Sequence, residues 1–345
     1  MGRVYIQTVN GQISHESLGI TLPHEHIILD YRCSWIEPPA QYSHLAESKV
    51  TQELVGGIRY HAHNSKDNLI LDDEDTAVEE LMYFKQAGGN AVIELSSIGL
   101  SMDPLKLRRI STRTNLHIVA GCGYYRHLAH DPSVLKMKAE QMAEEIIEAL
   151  QEGIDNTNVR AGIIGEVGTS SPLHPFERES LIASAKAQCQ TGAAINVHPE
   201  ILAYDHLNVL NILEDAGADL SRTVMSHMDE PNDSDWNLKV AKRGVYVSFD
   251  TFGYDFPFDG IEKPSDRDRV DCLISLLEAG YVDRILLSHD ICYKMQQRKY
   301  GGPGYSHISN KILPLLKERG VSENEISTML IENPTRLLTV QSRSS

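Results

Sequence analysis

Eight short apolar runs recur along this chain, and amphipathic stretches with helical periodicity separate most of them. The runs fall at 19–28, 91–97, 117–124, 161–168, 194–198, 223–227, 244–250 and 284–290. The helical stretches include 74–86, 104–114, 134–151, 176–190, 206–216 and 267–279. Within 134–151, Met142, Ile146 and Leu150 mark an apolar stripe, while Glu144, Glu145 and Glu148 mark the wet face. Apolar strands alternating with helices are the pattern of a parallel sheet covered by helices. Eight strand–helix units in 345 residues predict an α/β fold, specifically a (β/α)8 barrel. A doubly wound sheet is the competing topology. Gly121-Cys122-Gly123 lacks the third glycine of a dinucleotide fingerprint, so that reading has little support.

The whole chain, 1–345, reads as one barrel domain with two embellishments. Segments 4–9 and 17–20 flank Asn10-Gly11, a strong hairpin signal, and 1–20 is expected to form a ribbon capping one barrel end. Segment 29–72, rich in Pro, Tyr and His, reads as a long insertion after the first barrel strand, overhanging the mouth.

Net charge is −16 and the pI is about 5.4, which argues against nucleic acid or an anionic membrane as partner. Cys33, Cys122, Cys189, Cys272 and Cys292 are scattered and odd in number, the usage of reduced thiols. The N-terminus carries no signal-peptide apolar core, and no run reaches membrane-spanning length. A cytoplasmic chain acting on a small molecule is expected.

In a barrel, functional groups sit at the C-terminal ends of the strands. Here run one ends in Leu22-Pro23-His24-Glu25-His26 and run four in Gly165-Glu166. Run five ends in His198, run six in His227 and run eight in Ser288-His289-Asp290. Any one of these has a bland reading as a hydrogen-bonded rim residue or a helix cap. Together, four histidines, one glutamate and one aspartate at five strand ends make a ligand set. Neutral imidazole with carboxylate suits Zn²⁺, and also Mn²⁺, Co²⁺ or Fe²⁺. Six ligands exceed one tetrahedral zinc and fit two divalent ions sharing a bridge.

These residues resemble the phosphotriesterase family of the amidohydrolase superfamily, nearly end to end. The resemblance extends to Tyr300-Gly301-Gly302-Pro303-Gly304-Tyr305-Ser306-His307-Ile308 and to Glu332-Asn333-Pro334. The best-known members carry a carboxylated lysine on strand four; Glu166 stands there instead. The chain therefore resembles the glutamate-bridged branch of phosphotriesterase homology and phosphotriesterase-related proteins, and the latter group above all. The resemblance implies that His24, His26 and Asp290 hold the more buried metal, that His198 and His227 hold the more exposed one, and that Glu166 bridges them. It implies that Asp290 orients the attacking hydroxide and accepts its proton. Tyr125 matches a tyrosine near the metals in the lactonase branch, where it donates to the substrate oxygen or simply walls the pocket. Thr251 stands where acyl-lactonase members carry arginine, a departure that weakens a quorum-lactone reading. A homodimer is also implied.

Lys294, Arg298 and Lys299 follow the last ligand closely and are candidate contacts for an anionic substrate, with a solvated loop as the alternative. The expected function is a binuclear metal hydrolase attacking an ester or lactone carbonyl, or a phosphoryl centre. The alternatives are an N-acyl amide hydrolase, a one-metal lyase or isomerase, and a barrel that binds small molecules without turnover.

Overall fold

The computed structural model describes residues 4–254 and 261–341. Its strands, in chain order, are β1 (Val4–Thr8), β2 (Gly11–Ile13), β3 (Thr21–Glu25), β4 (Leu29–Asp30), β5 (Ile70–Leu71), β6 (Ala91–Glu94), β7 (His117–Cys122), β8 (Ile163–Gly168), β9 (Ile195–His198), β10 (Thr223–Met225), β11 (Tyr246–Phe249), β12 (Ile285–Leu287) and β13 (Val340–Gln341). Eight of them form one sheet in the order β3-β6-β7-β8-β9-β10-β11-β12, and every ladder in it is parallel. The sheet curls into a nearly closed barrel. Its seam is stitched by side chains: His24 N donates to Ser288 Oγ at 3.0 Å, and Ser288 Oγ donates to Glu25 Oε1 at 2.8 Å.

All eight expected runs contain a strand, each one to five residues shorter than the run. The helices Glu74–Gln86 and Pro104–Thr114 match the periodicity, because each begins with a strong cap. Asp73 accepts from Asp75 N and Thr76 N, while Asp103 accepts from Leu105 N and Lys106 N ahead of a proline in the first turn. The short helix Ser234–Ala241 escapes the periodicity reading, since eight residues span barely two turns.

Two regions differ from expectation in detail. The N-terminal hairpin pairs β1 with β2 across Val9-Asn10, not with 17–20, and β13 adds a third strand on the other side of β1. Val9 N donates to Ile118 O at 2.9 Å, so the ribbon lies against the N-terminal strand ends, opposite the functional mouth. The 29–72 insertion is closed at its base by the antiparallel pair β4–β5 and holds the helix Val55–Tyr60 and several 3₁₀ turns. It has its own buried cluster, in which Leu29, Leu45, Ile58 and Leu69 pack with Tyr125 and Tyr293. It also pins the loop after β12, where Met295 N donates to Asn68 Oδ1 at 3.0 Å. Among the described residues, no helix is long and apolar enough to cross a membrane.

Candidate metal centre

The C-terminal strand ends bring His24, His26, Glu166, His198, His227 and Asp290 into one cluster. Local irregularities aim them inward. The β3–β6 register shifts between Leu22 and Glu25, and the β8–β9 register shifts between Ile164 and Val167. Glycine makes the second bulge possible: Gly165 has φ +140°, and a Cβ there would lie 2.6 Å from Asn196 O. A Cβ on Gly121 would lie 2.0 Å from Gly165 O. His227 and Asp290 adopt φ of 57° and 52°, a region that non-glycine residues visit rarely and mostly at functional sites.

Nitrogen and oxygen atoms converge in the cluster. His26 Nε2 lies 3.1 Å from Asp290 Oδ1 and 3.5 Å from Glu166 Oε1. His24 Nε2 lies 3.4 Å from Glu166 Oε2 and 3.6 Å from Asp290 Oδ1. His198 Nδ1 is 3.0 Å from Glu166 Oε2 and 2.9 Å from His227 Nε2. Two triplets, His24–Glu166–His227 and His24–His26–Asp290, each gather ligand atoms within 4.8 Å of one another, and they share His24. His198 borders the first.

A second layer sets the imidazole tautomers, and its centre is Asp250, at the end of β11. Asp250 Oδ2 accepts from His24 Nδ1 at 2.9 Å, and its Oδ1 accepts from His227 Nδ1 at 2.9 Å and His227 N at 2.8 Å. A carboxylate only accepts, so both Nδ1 atoms carry a proton, and Nε2 is the atom of each ring left for a cation to take. His26 Nδ1 sits 2.9 Å from Ser96 Oγ. Glu25 turns away from the cluster. Its Oε1 accepts from His289 Nδ1 at 2.7 Å and from His289 N at 2.9 Å, and its Oε2 accepts from Ile291 N at 3.0 Å. Glu25 and His289 thus form a buried clamp that fixes the backbone on both sides of Asp290. Sequence reasoning missed Asp250, although it too ends an apolar strand; aspartate at that spot reads equally well as loop polarity.

Burial disfavours charge throughout the cluster. Against that penalty, Asp250 and the other carboxylates still raise His24 well above the ordinary imidazole value and His227 to about 9. His26 is raised by Asp290 and Glu166 against the same penalty. For His198 burial prevails over Glu166 and the value falls. Glu166 is held well below the carboxylate range because His198 and His24 overcome its burial. The cluster therefore calls for positive charge. The fit to divalent cations is good: His24 Nε2 is buried and, among the described residues, has no hydrogen-bond partner. The donor set is imidazole plus carboxylate, the chemistry such cations prefer.

Above the cluster lies a cavity of about 160 Å³. Tyr31, Tyr125, Tyr254 and Tyr293 wall it. Tyr125 Oη sits 3.3 Å from His198 Nε2 and 3.3 Å from Tyr31 Oη. Burial, reinforced by Tyr31, pushes the Tyr125 phenol well up, so it stays a proton donor. His63, from the insertion, also lines the cavity, with its Nε2 3.0 Å from Tyr293 Oη.

The three loop cations are placed elsewhere. None lines this cavity. Lys294 Nζ donates to Asp67 Oδ1 at 2.8 Å, and Lys299 Nζ donates to Thr76 Oγ1 at 2.7 Å. The Arg298 guanidinium stacks 4.0 Å over the Tyr83 ring. They bind the loop after β12 to the insertion and the first outer helix. Among the described residues, Arg126 and Lys263 are the arginine and lysine that line the cavity, beside the carboxylate of Glu230.

A parallel barrel with this cluster at its mouth has the architecture of the phosphotriesterase-like hydrolases. The model of the Phosphotriesterase family matches residues 4–338, and the chain belongs to that family. It is 39% identical over 340 residues to an N-acetyltaurine hydrolase of Xenopus tropicalis, covering 97% of each chain. It is similar to the crystal structure of a resiniferatoxin-binding protein from Rhodobacter sphaeroides, with a TM-score of 0.94 and 37% identity over 97% of this chain and 94% of that one. A phosphotriesterase-like lactonase mutant of Deinococcus radiodurans superposes with a TM-score of 0.78 and 27% identity over 96% of this chain and 99% of that one.

Proposed function

We propose that this protein hydrolyses the amide bond of small anionic N-acyl amines, with N-acetyltaurine as the leading substrate, using two divalent cations, zinc first. The observation that carries the reading is 39% identity across 97% of both chains to an N-acetyltaurine hydrolase, in a chain whose two ligand triplets, with His198 beside them, converge at the barrel mouth. It supports the amide alternative better than the ester or lactone that the sequence reading put first. The cavity of about 160 Å³ supports a compact substrate, since ordinary ligand pockets run ~300–1,000 Å³.

His24, His26 and Asp290 would hold one cation, His198 and His227 the other, and Glu166 both. Bound there, the cations supply Lewis acidity that polarises the scissile carbonyl and lowers the pKa of attacking water. Asp290, on the cavity floor, takes the proton from that water and returns it to the departing amine nitrogen. The Tyr125 phenol, kept protonated by burial, donates to the carbonyl oxygen as charge develops on it. The tyrosine walls exclude competing water.

Ester or lactone hydrolysis is the second reading, favoured by the likeness to the Deinococcus lactonase. The test is turnover of N-acetyltaurine against acyl-homoserine and aliphatic lactones by zinc-reconstituted protein. A larger kcat/KM for N-acetyltaurine is expected. Lactone turnover with no amide cleavage would install the second reading, and no turnover of either would leave a binding barrel.

A further inference from the structure

Of the two cations lining the cavity, Lys263 is already committed. Its Nζ is ion-paired with Glu230, and Glu230 also meets Arg269 Nη2 at 3.4 Å. Arg126 is held differently. One Nη donates to Glu200 Oε2 at 2.8 Å, while Nε is buried and, among the described residues, has no hydrogen-bond partner. A buried donor without an acceptor is disfavoured, so the guanidinium is not fully committed within the protein. The side chain is also fixed in place. A Cβ on Gly168, at the end of β8, would come within 2.4 Å of Arg126 N and 2.7 Å of its Cγ, so glycine there lets the arginine seat against the strand that bears Glu166. Arg126 directly follows Tyr125, whose phenol reaches the cluster.

We infer that Arg126 is the anion anchor of the cavity: its guanidinium takes the sulfonate or carboxylate at the far end of an N-acyl amine, which sets the acyl carbonyl over the histidine–carboxylate cluster. The inference rests on the hydrolase reading for the identity of the bound molecule, and on geometry for the anchor itself. Guanidinium offers five N–H donors in a planar fork, and Glu200 takes one of them at Nη2. The remaining donors can take two oxygens of one sulfonate, a pairing that an ammonium in an existing ion pair cannot reproduce. Specificity for an anionic amine would thus come from the loop after β7, not from the lysines and arginine after β12.

The test uses metal-loaded wild type, Arg126→Met and Arg126→Lys, with Lys294→Met as a charge-matched control, each checked for metal content and thermal unfolding. The first readout is calorimetric binding of propane-1-sulfonate, which cannot be hydrolysed. Wild type and Lys294→Met should bind alike. Arg126→Met should bind at least tenfold more weakly, and Arg126→Lys, which keeps the charge but loses the fork, should fall between. The second readout is the ratio of kcat/KM for N-acetyltaurine to that for uncharged N-propylacetamide. It should collapse about 10- to 100-fold in Arg126→Met, mainly through KM for the anion. No sulfonate binding by wild type, or unchanged binding in both Arg126 variants, would overturn the anchor. Arg126-dependent sulfonate binding without hydrolysis of any N-acyl amide would overturn the hydrolase reading and leave the anchor standing.

Discussion

Asp250→Asn is the sharpest test of the cluster, because one side chain governs two imidazoles. Asp250 Oδ1 accepts twice from His227, at Nδ1 and at N, while Oδ2 accepts once from His24 Nδ1 at 2.9 Å. Asparagine keeps one carbonyl oxygen, and the two-donor side will claim it. Its NH₂ then faces His24 Nδ1, which must become an acceptor, so the ring proton moves to Nε2. That proton blocks the one ligand atom shared by both candidate triplets. Loss of one such orienting carboxylate costs about 10- to 100-fold in metal affinity, or about 1.4–2.7 kcal/mol. The position held by His24 should weaken most, and the other less, because Asp250 also orients His227. Zinc competition against a chromophoric chelator, on metal-stripped protein of verified fold, reads this directly. Ser96→Ala, which touches only His26, should cost several-fold less. A folded Asp250→Asn protein that takes up two zinc ions with wild-type affinity would refute the assignment of Asp250 as the tautomer-setting group.

Four further outcomes follow from the same geometry. Glu166→Ala should drop metal content from two equivalents to one or fewer by plasma emission; two retained equivalents would remove Glu166 as the bridge. Cation uptake must displace the proton that Asp250 helps keep on His227 up to about 9, so zinc affinity should rise with pH toward 9 and fall below it, about tenfold per pH unit for each proton released; a flat profile from pH 6 to 8 would contradict this. Burial and His227 press His206 down to about 4 from 6.5, and its Nδ1 accepts the Trp236 indole proton at 3.1 Å. The contribution of His206 to folding stability should therefore be level above pH 6.5 and decline between 6.5 and 4, where the unfolded chain binds the proton that the folded one refuses. The loss is about 1.4 kcal/mol per pH unit, about 3 kcal/mol in all. Urea unfolding at pH 7 and 4.5 should show a smaller acid loss in His206→Asn, and equal losses would exclude His206 as the cause. Gly121→Ala should cost about 3 kcal/mol or more in the same assay, since its Cβ would meet Gly165 O at 2.0 Å; a change under about 1 kcal/mol would show that β7 and β8 separate freely.

The barrel was legible because parallel strands buried on both faces leave near-continuous apolar runs, and the caps at Asp73 and Asp103 are written locally. The ends of the N-terminal ribbon were not legible. Asn10-Gly11 marks the turn, but nothing local says that the partner strand stops at Ile13 or that Val340 and Gln341 join β1 from the far end of the chain. The candidate ligands were visible as residue types out of place after apolar strands. Their supporting groups were not, since a tautomer depends on what faces the second nitrogen.

What the amino-acid sequence determined by itself, then, is periodic and local: eight strands, their helices, and six metal-type residues at strand ends. The tertiary structure alone decided the pairings between distant residues. His24 meets Asp250 across 226 positions, and Lys294 is drawn to Asp67 across 227. Arg126 keeps a buried donor at the cavity while Glu200 takes its Nη2. A charged side chain commits to whichever partner the closed barrel puts within about 3 Å, and that choice exists only after the strands have been brought together.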